Sequence, residues 1–251
     1  VSDFVQSLDR GIAVIRSFSA ESPHQTLADV ARETGLSRAT ARRLLLTLVE
    51  LGYARSDGKL FELTPRVLDI GYSYVSSLNI DEIAQPYLEA LSEQVRESSS
   101  IAVLDDTEIV YLARVPTKRI MTVSIGLGSR FPAYQTSLGR VLLAELPDET
   151  IRDVYARSDR SGATETTVGS LAELIEKLEV VREVGWALVD QELEIGIRSM
   201  AAPLRDATGV AVAAVNVSTH AGRTDIDEIH RTFLPRLLAT AAQINEALAR
   251  R

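Results

Sequence analysis

The chain has 251 residues, 45% hydrophobic and 25% charged, enough for two domains with separate cores. It has no cysteine, which excludes disulfides, thiolate catalysis and cysteine-bound metals. The net charge is −8, no apolar run reaches about 18 residues, and VSDFVQSLDRG is unlike a signal peptide, so a cytoplasmic protein is expected.

Phe4, Leu8, Ile12, Ile15 and Phe18 are spaced as one face of a helix over 4–19, ended by Ser22, Pro23 and His24. Leu27, Val30 and Ala31 mark a short second helix with Thr26 as its N-cap. Gly35 suits the turn that follows. Ser37 caps a third helix whose core face is Ala41, Leu44, Leu45 and Leu48, and Gly52 ends it. Tyr53 to Arg55 and Leu60 to Leu63 are short strands around Asp57-Gly58, a hairpin signal. Thr64-Pro65 looks like an N-cap and first helical residue, opening a linker helix over 65–78. Helix, turn, helix and hairpin make a winged helix-turn-helix over 1–64, which places its last helix in the DNA major groove.

The charges agree with that reading. Residues 1–77 carry nine basic and nine acidic side chains, so the whole net charge lies in 78–251. Within 37–59, Arg38, Arg42, Arg43, Arg55 and Lys59 face only Glu50 and Asp57. With screening lengths of roughly 10 Å, this local excess governs attraction to phosphate. The third helix leaves Ala39, Thr40, Arg42, Arg43 and Thr47 outside or at the margin of its core face, with Arg38 in the first turn. Arginine reads guanine O6 and N7 together, worth roughly 1–3 kcal/mol of discrimination. Ser37, Thr40 and Thr47 suit phosphates or bases, and Arg55 and Lys59 flank the wing turn. On an isolated helix such arginines would be read as a solvated face. The turn and wing around them favour double-stranded operator DNA as partner.

The second domain, 79–251, opens with a helix over 81–97. Strands follow at Ser100 to Leu104, Ile109 to Val115 and Met121 to Ile125. The loop GLGSRFPAYQT leads to a helix from Ser137 to Glu145, and helices over 148–157 and 170–184 come next. Trp186 to Asp190, Ser199 to Leu204 and Val210 to Val217 are strands, and a long helix closes the chain. Adjacent strand pairs form hairpins, so the fold class is α+β with an antiparallel, sensor-like sheet.

LSRATARRLLLTLVELGY, LTPRVLDIGYSY, ARVPTKRIMTVSIGLGSRFPAYQTSLGRVLLA and GWALVDQELEIGIRSMAAPLRD together resemble an IclR-type bacterial transcriptional regulator, over nearly all of the chain. They are most similar to the branch that controls aromatic catabolism through the β-ketoadipate pathway. The resemblance implies a GAF-like effector domain behind the winged one, and assembly as a dimer or dimer of dimers. It implies a small carboxylic-acid effector of the protocatechuate, 4-hydroxybenzoate or β-ketoadipate type. The alternative is a regulator of this type that serves another pathway and another small acid.

By the same resemblance, the backbone amides of Ser137 and Leu138 bind the acid, where a helix start supplies free N–H groups. Ser199, Asn216 and Ser218 line the strand side, and Asp190 or Glu192 stands at the rim. Asn216 and Ser218 interrupt the apolar run AVAAVNVS and share strand parity, so they project from one face of the sheet. Local hydrogen bonding to the backbone is the alternative for these polar residues. Arg119 and Arg130 are candidates to pair with a carboxylate, with a surface role as the alternative. Tyr134 either stacks on an aromatic ligand or packs against the loop.

An enzyme is disfavoured, since there is no G-x-S-x-G, P-loop or dinucleotide fingerprint. His24, His220 and His230 match no standard metal spacing. No cofactor or metal is expected. An architectural DNA-binding protein without a ligand would leave the large acidic domain without a role. The C-terminal stripe of Ile226, Ile229, Phe233, Leu237, Ile244 and Leu248 is read as packing within the chain, while apolar surface on 4–18 and 65–78 is available for a dimer contact.

Overall fold

The computed structural model describes residues 3–71, 80–117 and 125–250. It divides into two compact units, Val1–Ser77 and Leu78–Arg251. Among the described residues no helix is long and apolar enough to cross a membrane.

Unit 1 holds α1 (Gln6–Arg16), α2 (Leu27–Thr34) and α3 (Arg38–Glu50), with strands β1 (Gln25–Thr26), β2 (Ala54–Ser56) and β3 (Leu60–Leu63) in the order β1-β3-β2. Local chemistry fixes the helix starts. Thr26 Oγ1 accepts the Asp29 N–H at 3.2 Å, and the Asp29 carboxylate accepts the Thr26 N–H at 3.1 Å, a reciprocal cap. Hydrogen bonds from the Thr26 side chain, and then from Arg32, hold the Asp29 carboxyl down at about 2. Gly35 makes the turn at a φ of +66°, a backbone region where a side chain is strained. Ser37 Oγ then accepts the Thr40 N–H at 3.2 Å to start α3. Val14, Val30, Ala41 and Leu45 are fully buried and meet Ala54 and Phe61 of the hairpin.

One expectation is corrected here and a second is refined. α1 is shorter than 4–19, and Val14 rather than the Phe4-Leu8-Ile12 stripe reaches the core; those three are 66%, 64% and 49% exposed. The apolar residues fall on two sides of the helix, and a core this small covers only one. Thr64 stands at the N-cap position with Pro65 first in the helical turn, as expected, but its side chain makes no cap bond: its hydroxyl donates to the Gly52 carbonyl at 2.6 Å and its N–H to the Tyr53 carbonyl at 2.9 Å. These bonds extend the hairpin ladder, and the chain leaves it through a 3-10 turn at Pro65–Val67 that runs on into helix over 68–71. Residues 72–78 of the expected linker helix lie outside the described residues.

Unit 2 is built on one antiparallel sheet, ordered β6-β5-β4-β9-β8-β7. Its strands are β4 (Ser98–Asp105), β5 (Glu108–Val115), β6 (Arg130–Pro132), β7 (Ala187–Asp190), β8 (Ile197–Arg205) and β9 (Ala211–His220). Against one face pack α4 (Ile80–Val95) and α8 (Leu234–Ala249), the latter preceded by a π turn at Ile229–Phe233. Ile101, Val103, Met200, Ala202, Val215 and Val217 supply that face of the sheet. The other face, with Ala102, Ala201 and Ala214, carries α5 (Ser137–Leu143), α6 (Asp148–Arg157) and α7 (Leu171–Val184). The alternation is the period-two signature of a sheet buried on both sides. Ile229, Phe233, Leu237 and Ile244 are buried within the chain, so most of the C-terminal stripe is intrachain packing, while Ile226 at its start is exposed.

Two further differences matter for the site. Arg130–Pro132, which falls within the expected loop, is an edge strand paired with β5. Residues 121–124 of the expected third strand lie outside the described residues, and Ile125 is not in a strand. On β5 the register slips: Ala113 faces Ile101, but Tyr111 faces Ala102. The extra residue, Leu112, is a bulge. It turns Tyr111 onto the α5 side of the sheet, the side on which Asn216 also lies.

Candidate functional site

The exposed side of α3 presents Arg38, Arg42 and Arg43, none with a carboxylate partner among the described residues. That is the state phosphate recognition requires. The smaller groups are more occupied. The hydroxyls of Ser37 and Thr40 lie 3.0 Å apart within the cap, and the Thr47 hydroxyl donates to the Arg43 carbonyl at 2.9 Å. In the wing, Arg55 Nε donates to Glu62 Oε1 at 2.6 Å, so this arginine is ion-paired across the hairpin. Lys59 is exposed at the wing turn. The turn itself is tied by Asp57, which accepts the N–H groups of Leu60 at 2.7 Å and Lys59 at 2.8 Å and is held below the usual carboxylate range by them. Arg66 donates to the Leu51 carbonyl at 3.0 Å and lies over the Tyr53 ring, joining the hairpin exit to the end of α3.

In unit 2 a small cavity of about 30 Å³ lies between the start of α5 and strands β8 and β9. Ser137, Ser199, Asn216 and Ser218 meet there. Ser199 and Ser218 are ladder partners, and Asn216 sits two residues along the same strand face. The Ser137 and Ser199 hydroxyls are 2.5 Å apart, joining α5 to β8. Asn216 Nδ2 donates to Ser199 Oγ at 3.0 Å and to Ser218 Oγ at 3.1 Å. Asn216 is only 2% exposed, yet its Oδ1 has no hydrogen-bond partner among the described residues. Leaving such an acceptor unmet costs about 1–3 kcal/mol.

The helix start adds donors. The Thr136 hydroxyl accepts the Gly139 N–H at 3.0 Å, and the Thr136 carbonyl accepts the Arg140 N–H at 2.9 Å. The N–H groups of Ser137 and Leu138, earlier in the turn, have no acceptor among the described residues. Leu138 itself does not line the cavity, and its side chain is fully buried in the core.

Two polar cavity residues were not singled out in the sequence, Tyr111 and Gln135. Burial pushes the Tyr111 phenol up to about 12, so it is a hydrogen-bond donor at neutral pH. Thr136 had a legible signal, a threonine just before a helix start. Tyr111 had none, since the bulge that turns it inward is invisible without its partner strand. Ile125, Val189, Leu193 and Ile197 form the apolar wall, and no described lining residue is charged.

Four expected effector residues stand elsewhere. Arg130 is held at the sheet edge by Asp105 and Glu108, each at 2.7 Å. Tyr134 packs into the core, its ring edge-on to Tyr155 at 5.4 Å and its hydroxyl accepting from Gln135 Nε2. Asp190 is ion-paired to Arg198 at 2.7 Å. Glu192 is buried against Arg140, Lys177 and the Val168 N–H rather than at a rim. In each case a local counter-charge or core contact outcompetes the cavity. Arg119 lies outside the described residues.

Among the described residues no cluster of three or more metal-ligating side chains occurs. His220 Nδ1 accepts the Gly222 N–H at 3.0 Å, and the His230 ring lies edge-on to Trp186 at 5.3 Å.

Comparison with known proteins matches these two halves. Residues 7–58 match the IclR helix-turn-helix domain, and residues 72–246 match the C-terminal domain of IclR bacterial transcriptional regulators. The Pca regulon regulatory protein of Pseudomonas putida is 44% identical over 96% of this chain and 84% of its own length. The p-hydroxybenzoate hydroxylase transcriptional activator of Acinetobacter baylyi is 33% identical over 96% and 91%. A transcriptional regulator of Rhodococcus sp. RHA1 has the same fold at 54% identity and a TM-score of 0.87, with 98% of both chains covered. The fold recurs in an IclR homologue of Microbacterium hydrocarbonoxydans crystallised with 4-hydroxybenzoate, 23% identical, with a TM-score of 0.85 over 96% of this chain and 98% of that one. The chain belongs to the IclR family and is a ligand-responsive, DNA-binding transcriptional regulator, with a winged helix-turn-helix unit and a GAF-like effector unit.

Proposed function

We propose that the chain regulates genes of aromatic-acid catabolism in the cytoplasm, holding operator DNA through residues 1–64 and a small acid in the cavity of residues 79–251, with 65–78 as the link. The role is regulatory rather than catalytic. The Pca regulatory proteins and the p-hydroxybenzoate hydroxylase activator, by their names, act on such pathways. Arg38, Arg42 and Arg43 carry the DNA contact, with Ser37, Thr40, Thr47 and Lys59 beside them. Arg55 joins only by giving up Glu62.

The observation that carries the effector reading is the buried Oδ1 of Asn216, which has no partner among the described residues. An acceptor asks for a donor. 4-Hydroxybenzoate and protocatechuate carry phenolic O–H groups, whereas β-ketoadipate carries none, so the hydroxybenzoates fit this atom better. Their carboxylate finds the free Ser137 and Leu138 N–H groups, with the Ser137 and Ser199 hydroxyls to either side. The cavity of about 30 Å³ holds about one water, so a ring-sized acid must spread it. Insertion of a carboxylate between Ser137 and Ser199 replaces their direct hydrogen bond and moves α5 relative to the sheet. That movement is the step that couples the acid to the DNA unit.

Calorimetry decides this. 4-Hydroxybenzoate and protocatechuate are expected to bind at least about tenfold more tightly than benzoate, the difference of one hydrogen bond to a buried group. Asn216→Leu is expected to erase the difference while the unfolding transition, followed by the single Trp186, persists. No binding of any of the three natural acids at millimolar concentration would discard the effector class. The exposed stripe of Phe4, Leu8 and Ile12, with Leu68 and Ile70, supports a homodimer. A sedimentation mass of one chain would count against it.

A further inference from the structure

A second arginine-bearing element stands beside the recognition helix. A cleft of about 340 Å³ lies between α1 and α3, lined by Gln6, Ser7 and Arg10 from one helix and Thr40, Arg43, Leu44 and Thr47 from the other. Thr40, Arg43, Leu44 and Thr47 follow i, i+3, i+4, i+7 spacing, so they form one stripe of α3. Gln6, Ser7 and Arg10 lie on the side of α1 away from the exposed Phe4-Leu8-Ile12 stripe, so a contact through that stripe leaves the cleft open.

The charges in the cleft are uncompensated. Arg10 and Arg43 have no carboxylate partner among the described residues. Elsewhere in the same unit Arg32 pairs with Asp29, and Arg55 pairs with Glu62. No acidic side chain lines the cleft. Two guanidinium groups lining one cleft, with the Gln6 amide and the Ser7 hydroxyl beside them and no carboxylate in the lining, suit a phosphodiester group.

We infer that α1 is part of the DNA interface: Arg10 and Arg43 clamp one backbone phosphate of the operator beside the groove that α3 enters. This rests on α3 being the helix that meets DNA. The clamp makes Arg10 a positioning residue, contributing affinity without reading sequence. Arg43 joins it to the groove-facing side of α3.

The test is a salt titration of the full chain on a duplex operator and on a random duplex of equal length, comparing Arg10→Ala, Arg42→Ala and Asp9→Ala. Arg10→Ala is expected to lower the slope of log K against log salt by about 0.9 and to weaken both duplexes by a similar factor. Arg42→Ala is expected to weaken the operator more than the random duplex, and Asp9→Ala to do neither. Sedimentation mass is expected to be the same for Arg10→Ala as for the parent. An unchanged slope and affinity in Arg10→Ala, beside a weakened Arg42→Ala, overturns the clamp and leaves α3 in the groove. A loss accompanied by a change of mass also overturns it, assigning Arg10 to a subunit contact. No effect from either arginine overturns the α3 reading as well.

Discussion

Glu192→Ala is expected to destabilise unit 2 by about 3–5 kcal/mol, the cost of leaving one member of a buried ion pair unmatched. Glu192 is 3% exposed and Arg140 is 2% exposed. The carboxylate accepts from the Arg140 guanidinium, from the Val168 N–H at 3.1 Å and from Lys177 Nζ at 3.4 Å. Arg140 also donates to the Tyr134 carbonyl at 3.1 Å, and the Glu192 carbonyl accepts from Thr167 Oγ1 at 2.6 Å. One residue thus fastens α5, the segment before α7 and the segment after β7. With the carboxylate gone, a guanidinium remains buried beside a neutral methyl group. Urea unfolding followed by Trp186 measures the loss, and Arg140→Met with Glu192→Met is expected to recover most of it, because removing both charges removes the desolvation penalty. A change below about 1 kcal/mol in the single variant would mean that the pair is open to water.

Gly139→Ala should be the second large loss. Gly139 lies in α5, where its backbone is ordinary and the objection is space alone. A Cβ there would stand 2.0 Å from the Ala133 carbonyl oxygen and 2.4 Å from the Ala133 Cα, both backbone atoms. The turn Ala133–Gln135 must move away, carrying Gln135, Thr136 and Ser137 out of the cavity wall. Overpacking commonly costs about 1–3 kcal/mol, and a clash with backbone belongs at the upper end or beyond. Acid affinity should fall with it. Gly11→Ala is the control: nothing lies within 4 Å of its Cβ position, and a helical Gly-to-Ala change there is expected to be neutral or to stabilise unit 1 by up to about 1 kcal/mol. Wild-type stability and acid binding in Gly139→Ala would show that the turn yields freely.

The unit 1 fold was legible because its signals are local. Thr26 and Ser37 cap where a hydroxyl before an apolar repeat says they should, and Gly35 turns where a positive φ is needed. The shared face of Asn216 and Ser218 was legible for the same reason, since strand parity needs no knowledge of neighbours. What failed to show was long-range. Glu192 finds Arg140 at a separation of 52 residues, and no pattern in either segment announces the other. Arg130 sits in a stretch rich in glycine that reads as a loop, yet it pairs as an edge strand and takes two carboxylates from the β4–β5 turn. Tyr111 faces the cavity only because Leu112 bulges, a slip fixed by the pairing of two strands rather than by either alone.

The central claim is that what occupies the cavity of unit 2 changes how unit 1 holds DNA. The direct measurement is operator affinity of the full chain, by anisotropy titration at fixed salt, with and without saturating 4-hydroxybenzoate or protocatechuate. Coupling of about 1–3 kcal/mol predicts a shift in Kd of roughly 5- to 150-fold with at least one acid. Asn216→Leu, whose operator affinity without acid should match the parent, should need about tenfold more acid to reach the same shift. An operator Kd that stays the same with both acids, each shown to be bound, would contradict the account.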